Sequence, residues 1–183
     1  MLKQQFKQEI KKELWQKLGK GNINAVPLLK KITINYRVSG AKESKETLEL
    51  AEAELMAITG QKPKLCCAKK SEASFKTRQG DPLALKVTLR AIRMYDFAEK
   101  LFNLVLPRLR DFRGLSINSF DNGANYNLVI KDQTYFPEVD LDKVKQIRSV
   151  QAAFVTNTSS KKEAKVLLSA LGLPFKKENK KSN

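Results

Sequence analysis

Two stretches of this chain lay hydrogen-bonding side chains along a line. Lys31, Thr33, Asn35 and Arg37 alternate with Ile32, Ile34, Tyr36 and Val38, and farther on Lys86, Thr88 and Arg90 alternate with Leu85, Val87 and Leu89. A period of two is that of a pleated strand, whose successive side chains leave opposite sides. Each polar set therefore shares one side of a strand. The chemistry available there is anion recognition. Arg and Lys neutralise phosphates, and Arg offers a two-pronged donor to a phosphate or a guanine edge. Asn and Thr add short hydrogen bonds to bases, sugars or a 2′-hydroxyl, the group that separates RNA from DNA.

Residues for other chemistry are scarce. The chain has no histidine, and its two cysteines, Cys66 and Cys67, are adjacent, so a bridge between them would be strained. The usual zinc ligand set cannot be assembled within one chain, and the thiols read as small, partly buried strand residues of a protein kept in a reducing interior. No Gly-rich loop precedes a helix to cradle a phosphate, and no nucleophile is paired with a base. Neither catalysis nor a cofactor is expected. An RNA-modifying enzyme and a general nucleic-acid-binding module stand as the alternatives to a structural RNA-binding protein.

Charge points the same way. Thirty-five Lys and Arg face nineteen Asp and Glu, a formal +16, and without the last eight residues the surplus is still +13. Such an excess repels itself in a compact state, and a polyanionic partner relieves it. No apolar run approaches the roughly 20 residues that span a bilayer. The first twenty residues lack a signal peptide's apolar stretch, and Glu9 and Glu13 argue against a transit peptide. The expectation is a soluble, intracellular protein with no membrane partner.

The elements that must hold the polar sides can be placed by periodicity. Leu2, Phe6, Ile10, Leu14 and Leu18 predict an N-terminal helix ended by Gly19 and Gly21. Ser39 and Gly40 lead to a helix from about Lys42 to Ile58 with Leu48, Ala51, Leu55 and Ile58 inward. A short strand follows at Lys64 to Ala68, then an extended, mobile loop from Lys69 to Gly80 that is long enough for a functional role. Met94, Phe97, Leu101, Leu104 and Val105 mark a helix stopped by Pro107, and Arg108, Arg110 and Arg113 bracket Asp111 and Phe112 in a turn ended by Gly114. Tyr126, Leu128 and Ile130 mark a strand, as do Val150, Ala152 and Phe154. Ser160 and Glu163 have capping-box spacing ahead of a final helix with Ala164, Leu167, Leu168 and Leu171 inward and Gly172 as its stop.

Together these give one α+β domain over 1–175 with a basic, disordered tail at 176–183. Its largely antiparallel mixed sheet has helices packed on one face, and the opposite face is open for RNA. The outward strand positions carry Lys, Thr, Asn and Arg but no aromatic residue, which fits a folded RNA's backbone and grooves with little splaying of bases.

Several strings then become familiar. Thr59-Gly-Gln-Lys-Pro63, Phe75-Lys-Thr-Arg-Gln-Gly-Asp-Pro82, Lys86-Val-Thr-Leu-Arg90 and Leu106-Pro-Arg-Leu-Arg-Asp-Phe-Arg-Gly-Leu115 occur in that order. Ser119-Phe-Asp121, Asn125-Tyr-Asn127, Phe136-Pro-Glu138, Asp142-Lys-Val144 and Leu173-Pro-Phe-Lys176 follow. The ordered series resembles the large-subunit ribosomal protein five family of the bacterial and organellar type, from the first helix to residue 177. The resemblance implies a ribosomal protein, in a bacterial cytoplasm or an organelle, that binds 5S rRNA in the central protuberance of the large subunit. Partners would be 5S rRNA, large-subunit rRNA, P-site tRNA and neighbouring ribosomal proteins. It also implies that Asn35, Gln61, Thr88 and Arg90 contact the rRNA, with Thr33, Arg37 and Lys86 on the same side. The loop carrying Lys69, Lys70, Ser71, Phe75, Lys76 and Arg78 would face P-site tRNA. Arg108, Arg110, Asp111, Arg113, Glu138 and Asp142 would form an intersubunit bridge to a small-subunit head protein. The chain departs from the family pattern at Tyr36-Arg-Val-Ser-Gly40, where a Gly-rich segment is usual, and at Cys66-Cys67. It departs again at Asp121-Asn-Gly-Ala-Asn-Tyr126, where Asp-Gly-Arg-Gly-Asn-Tyr is usual.

Overall fold

The computed structural model describes residues 2–39, 44–110 and 112–176. Asp111, the start expected for the second helix at Lys42 and the tail beyond Lys176 lie outside the described residues. Helix α1 covers 2–18, α-helical over Leu2–Gln5 and Lys11–Leu18 with a wider π-type turn at Phe6–Ile10. Leu2, Phe6 and Leu14 are buried, while Ile10 and Leu18 are half-buried, so the four-residue stripe is the docked face. Gly19 closes the helix at a left-handed φ of 58°. Strand β1 is Leu29–Arg37, followed by helix α2, Lys45–Thr59, whose N-cap Ser44 accepts from the Thr47 N–H at 3.4 Å. Strands β2 (Lys64–Cys67) and β3 (Pro82–Leu89) come next.

Helix α3 covers 91–108, with a π-type turn at Leu101–Val105 between Ala91–Lys100 and Leu106–Arg108. It runs one residue beyond Pro107, which lacks the N–H that would bond four residues back. Widening the turn ahead of that proline accommodates the missing bond. Strands β4 (Tyr126–Ile130) and β5 (Val150–Thr156) and helix α4 (Lys161–Ala170) complete the order. The five strands form one sheet in the order β2-β3-β1-β5-β4, and β3 runs antiparallel to both β1 and β2. The α+β class is thus observed.

Contacts group the chain into two compact units, one of residues 1–31, 90–127 and 154–183, the other of residues 32–89 and 128–153. In the first unit the Leu2 N–H donates to the Glu99 carboxylate at 3.1 Å and the Phe6 and Tyr95 rings lie 5.8 Å apart, docking α1 on α3. Phe120, Tyr126 and Phe175 form a ring cluster with centroids 4.8–5.9 Å apart. Beside it the chain at Gly114 (φ 91°) passes so close to the C-terminal segment that a Cβ there would sit 2.9 Å from the Lys176 nitrogen. Ser160 makes no side-chain cap, so the capping box expected with Glu163 does not form. Glu163 instead accepts from Lys20 (2.5 Å) and the Thr158 hydroxyl (2.8 Å), and the Lys20 hydrogen bond, chiefly, holds its carboxyl below the ordinary range.

In the second unit α2 packs on β3. The inward ring of Tyr36 carries a hydroxyl that cannot be left bare in an apolar layer. It donates to the Glu54 carboxylate of α2 at 2.6 Å, and the same carboxylate accepts from Arg148 Nη1 at 2.9 and 3.2 Å. The Arg148 N–H donates to buried Gln133 at 2.5 Å, and Gln133 donates in turn to the Gln146 carbonyl at 2.8 Å. Burial, then the hydrogen bond and charge of Glu54, push the Tyr36 phenol well above its ordinary value.

Two outcomes are expected. The folded protein holds the Tyr36 proton more tightly than the unfolded chain, so this stability is intact below about pH 10 and is lost as pH rises past it. Burial raises Tyr95 and Tyr126 in the same sense. Urea melts should therefore show falling stability above about pH 10, with a shallower fall in Tyr36→Phe; identical slopes would refute the assignment. The second concerns exposed Ala91, whose φ of 51° is left-handed. That conformation costs a side-chain-bearing residue roughly 1–2 kcal/mol, against roughly 0.5–1 kcal/mol of extra chain entropy for glycine. Ala91→Gly should raise unfolding stability by about 0.5–1 kcal/mol in the same melts.

Candidate nucleic-acid interface

The β1–β3 register sets Thr33 opposite Thr88, Asn35 opposite Lys86 and Arg37 opposite Ala84; β2 extends the rows, with Lys64 opposite Lys86 and Cys66 opposite Ala84. The intervening Ile32, Ile34, Tyr36, Leu85, Val87 and Leu89 are each no more than 2% exposed. Their neighbours Thr33, Asn35 and Thr88 are half-buried, and Arg37 and Lys86 are exposed. The alternation read from the sequence is therefore a real division between a dry side and a polar side. Structure adds Lys64, which sequence reasoning placed on a strand but not on this side. Only the pairing register could align it with Lys86 and Asn35. Two ammonium groups facing each other across strands destabilise the free sheet, and an anion between them would relieve that repulsion.

Gln61 is half-buried just after the left-handed cap Gly60, three residues ahead of Lys64. Its N–H and carbonyl both bond the Thr59 hydroxyl, at 3.4 and 3.1 Å, which fixes its backbone at the entrance to β2. Arg90 is exposed and forms the N-cap residue of α3; it belongs to the first unit, whereas Thr33, Asn35, Arg37, Gln61, Lys86 and Thr88 belong to the second. Cys66 is half-buried and Cys67 exposed, both as free thiols. Among the described residues no group of His, Cys, Asp and Glu is placed to hold a metal ion.

The 69–80 segment, expected as an extended loop, is folded back on itself. Glu72 and Thr77 exchange backbone hydrogen bonds of 2.8 and 3.1 Å around a tight turn in which Lys76 has φ 51°. At its base Ala68 donates to Asp81 (2.9 Å) and accepts from Gly80 (3.0 Å), while the Asp81 carboxylate accepts from the Arg78 N–H (2.8 Å). Lys69, Lys70, Ser71, Phe75, Lys76 and Arg78 are all exposed, and Phe75 is 80% exposed. This hairpin and the polar side border an open cavity of about 780 Å³, lined among others by Asn35, Arg37, Phe75 and Gln151. Loop and strand residues read as separate surfaces are thereby brought together. Gln151 and Ser149, also on the lining, were missed. Their phase, out of step with Val150 and Ala152, was the available signal.

Of the residues expected at a bridge, Arg108, Arg110 and Arg113 are exposed in the first unit and Glu138 and Asp142 are exposed in the second. Asp111 lies outside the described residues. The departure at Asp121–Tyr126 leaves a well-bonded turn. The Asp121 carboxylate accepts from the Asn125 side chain (2.9 Å) and backbone (2.7 Å), and that side-chain bond holds its carboxyl below the ordinary range. Ala124 adopts φ 57° there, the left-handed conformation that the usual glycine favours.

No helix among the described residues is long and apolar enough to cross a membrane. Two family descriptions match in tandem: "Ribosomal protein L5" over residues 22–78, and the C-terminus of that same ribosomal family over residues 82–175. The large ribosomal subunit protein uL5 of Caldanaerobacter subterraneus is 47% identical over 96% of this chain and 98% of its own. That of Clostridium acetobutylicum is 49% identical over 95% of this chain and 97% of its own. With both descriptions matched in order and nearly half of all positions shared end to end, the chain belongs to the ribosomal protein L5 family.

Proposed function

We propose that this chain binds 5S rRNA in the central protuberance, using the polar side of β1, β2 and β3 as the gripping surface. As a member of the L5 family it is a structural, non-enzymatic constituent of the large ribosomal subunit. The observation that supports the finer reading is the register: Asn35, Lys86 and Lys64 stand in one row and Thr33 and Thr88 in the next. Cations in such rows take phosphates, while Asn and Thr reach sugars and base edges. Gln61 and Arg90 join them as rRNA contacts. The exposed tip of the 72–77 hairpin, with Lys69, Lys70 and Arg78, is the part that would meet P-site tRNA. Arg108, Arg110, Arg113, Glu138 and Asp142 are the residues proposed for a bridge to a small-subunit head protein. The competing reading, a general nucleic-acid-binding module, draws on the +16 net charge alone.

Salt and competition separate the two. If about six phosphates are neutralised, the logarithm of the affinity for 5S rRNA should fall with the logarithm of salt at a slope near −4 to −5. Duplex DNA should compete poorly; equal competition would leave only non-specific charge. Arg90→Ala should weaken the complex by roughly 1–3 kcal/mol in filter binding, and unchanged affinity would remove Arg90 from the interface. Lys86→Gln should separate stability from binding. Relief of the Lys64–Lys86 repulsion should stabilise the free protein by roughly 0.2–1 kcal/mol in urea melts, while the affinity for 5S rRNA falls and its salt slope shrinks by about 1.

A further inference from the structure

The cavity between the 72–77 hairpin and the polar side differs from the surface that a phosphate backbone requires. A backbone is held by cations and N–H donors. Here an aromatic ring, two carboxamides and a carboxylate line the same space: Phe75, Asn35, Gln151 and Glu72. Phe75 is 80% exposed although it lines a concavity, so one ring face is available to a planar ligand. The volume, about 780 Å³, is within the roughly 300–1,000 Å³ of clefts that enclose small organic groups. Glu72, whose Oε1 accepts from the Ser74 hydroxyl at 3.3 Å, repels a phosphate but accepts from an exocyclic amino group, as carboxylates do from the cytosine N4 amine. Arg37, Lys69 and Lys70 supply cations on the same lining.

We infer that this cavity receives a single unpaired nucleobase of the bound RNA, stacked on Phe75, with its edge read by Asn35, Gln151 and Glu72. Its flanking phosphates lie on Arg37, Lys69 and Lys70. The inference rests on the RNA-binding reading of the polar side and changes two parts of it. Phe75, Lys69 and Lys70 serve the bound RNA, leaving Lys76 and Arg78 of the hairpin for P-site tRNA, and a base is captured as well as a backbone gripped. The strands carry no outward aromatic residue, but the hairpin returns one over them, so base capture is built from a loop. A carboxylate in the cavity favours amino-bearing bases over uracil.

The test uses the full chain and five probes: oligocytidylate, oligouridylate, a fully paired RNA duplex, a folded tRNA and 5S rRNA of Clostridium acetobutylicum. The chain has one tryptophan, so a Trp15→Phe, Phe75→Trp double variant carries its only indole in the cavity. Its fluorescence should be quenched by oligocytidylate and by 5S rRNA but not by the duplex. Phe75→Ala should lose about 5- to 150-fold in oligocytidylate affinity, the range of one base–aromatic stack, with duplex binding unchanged; Phe75→Tyr should restore it. Glu72→Gln should narrow the preference for oligocytidylate over oligouridylate. Quenching by the duplex equal to that by oligocytidylate would overturn the inference. So would wild-type oligocytidylate affinity in Phe75→Ala, or quenching by a folded tRNA alone. If 5S rRNA still binds with its steep salt slope in those cases, the proposed function stands and only base capture fails. Loss of 5S rRNA binding by the wild-type chain would defeat both.

Discussion

A pleated strand sends successive side chains to opposite sides, and in β1 and β3 this rule separates a dry layer from a wet one. Ile32, Ile34, Leu85, Val87 and Leu89 are almost fully enclosed, so the positions between them are committed to the other side. A slip of one residue would bury Asn35 and Lys86 and expose the isoleucines, which makes the register strongly specified. Tyr36 is the exception on the dry side, because it brings a hydroxyl with it. That hydroxyl needs Glu54, and the Glu54 charge needs Arg148, whose side chain is only 3% exposed. A buried ion pair of this kind contributes little net stability compared with an apolar substitute, but removing one partner strands the other. Its role is best understood as positional: it fixes α2 against the underside of the strand that presents Asn35 and Arg37.

The wet side carries the opposite problem. Lys64 and Lys86 face each other, and the chain as a whole carries +16, so the free protein stores repulsion that its own carboxylates relieve only in part. Among the described residues of the second unit, surface ion pairs lie away from this row, as in Lys62 with Glu52 and Lys145 with Glu46. Exposed pairs of that kind contribute little, and none of these neutralises the Asn35–Lys86–Lys64 row. A surface whose charges oppose one another gives up stability in the free protein, and under the proposed function that loss is recovered as affinity for an anion.

What was legible in the sequence follows from the range of the forces involved. Alternation in β1 and β3, the four-residue stripe of α1 and the glycine stops are local, and the structure reproduces them. The polar side itself was read from Thr33, Asn35, Lys86 and Thr88 without coordinates. Lys64 could not be added, because cross-strand register depends on the path of the intervening chain. The Glu54–Arg148 pair spans 94 positions and leaves no periodic trace. The capping box at Ser160 failed for a related reason. Lys20, 143 positions away, drew Glu163 into an ion pair that no local spacing could announce. The 69–80 segment was too polar to suggest a fold, and its closure combines backbone hydrogen bonds with the Asp81 carboxylate and Ser71 hydroxyl accepting from the Arg78 and Gln79 N–H groups, none of which leaves a periodic trace.

Among the described residues three that are not glycine sit in the left-handed region, Lys76, Ala91 and Ala124, and all three mark abrupt changes of chain direction. Such residues persist only where their surroundings over-determine them. Lys76 is held by the Glu72–Thr77 bonds, and the Ala124 carbonyl accepts from the Thr156 hydroxyl at 3.2 Å. Ala91 follows Arg90 directly and stands where extended β3 gives way to helical α3. A residue with ordinary extended backbone angles there would prolong the strand instead of ending it. The strain at Ala91 therefore has a local purpose that packing alone does not explain: it is the point at which the chain stops extending the strand that carries Lys86 and Thr88, directly after Arg90.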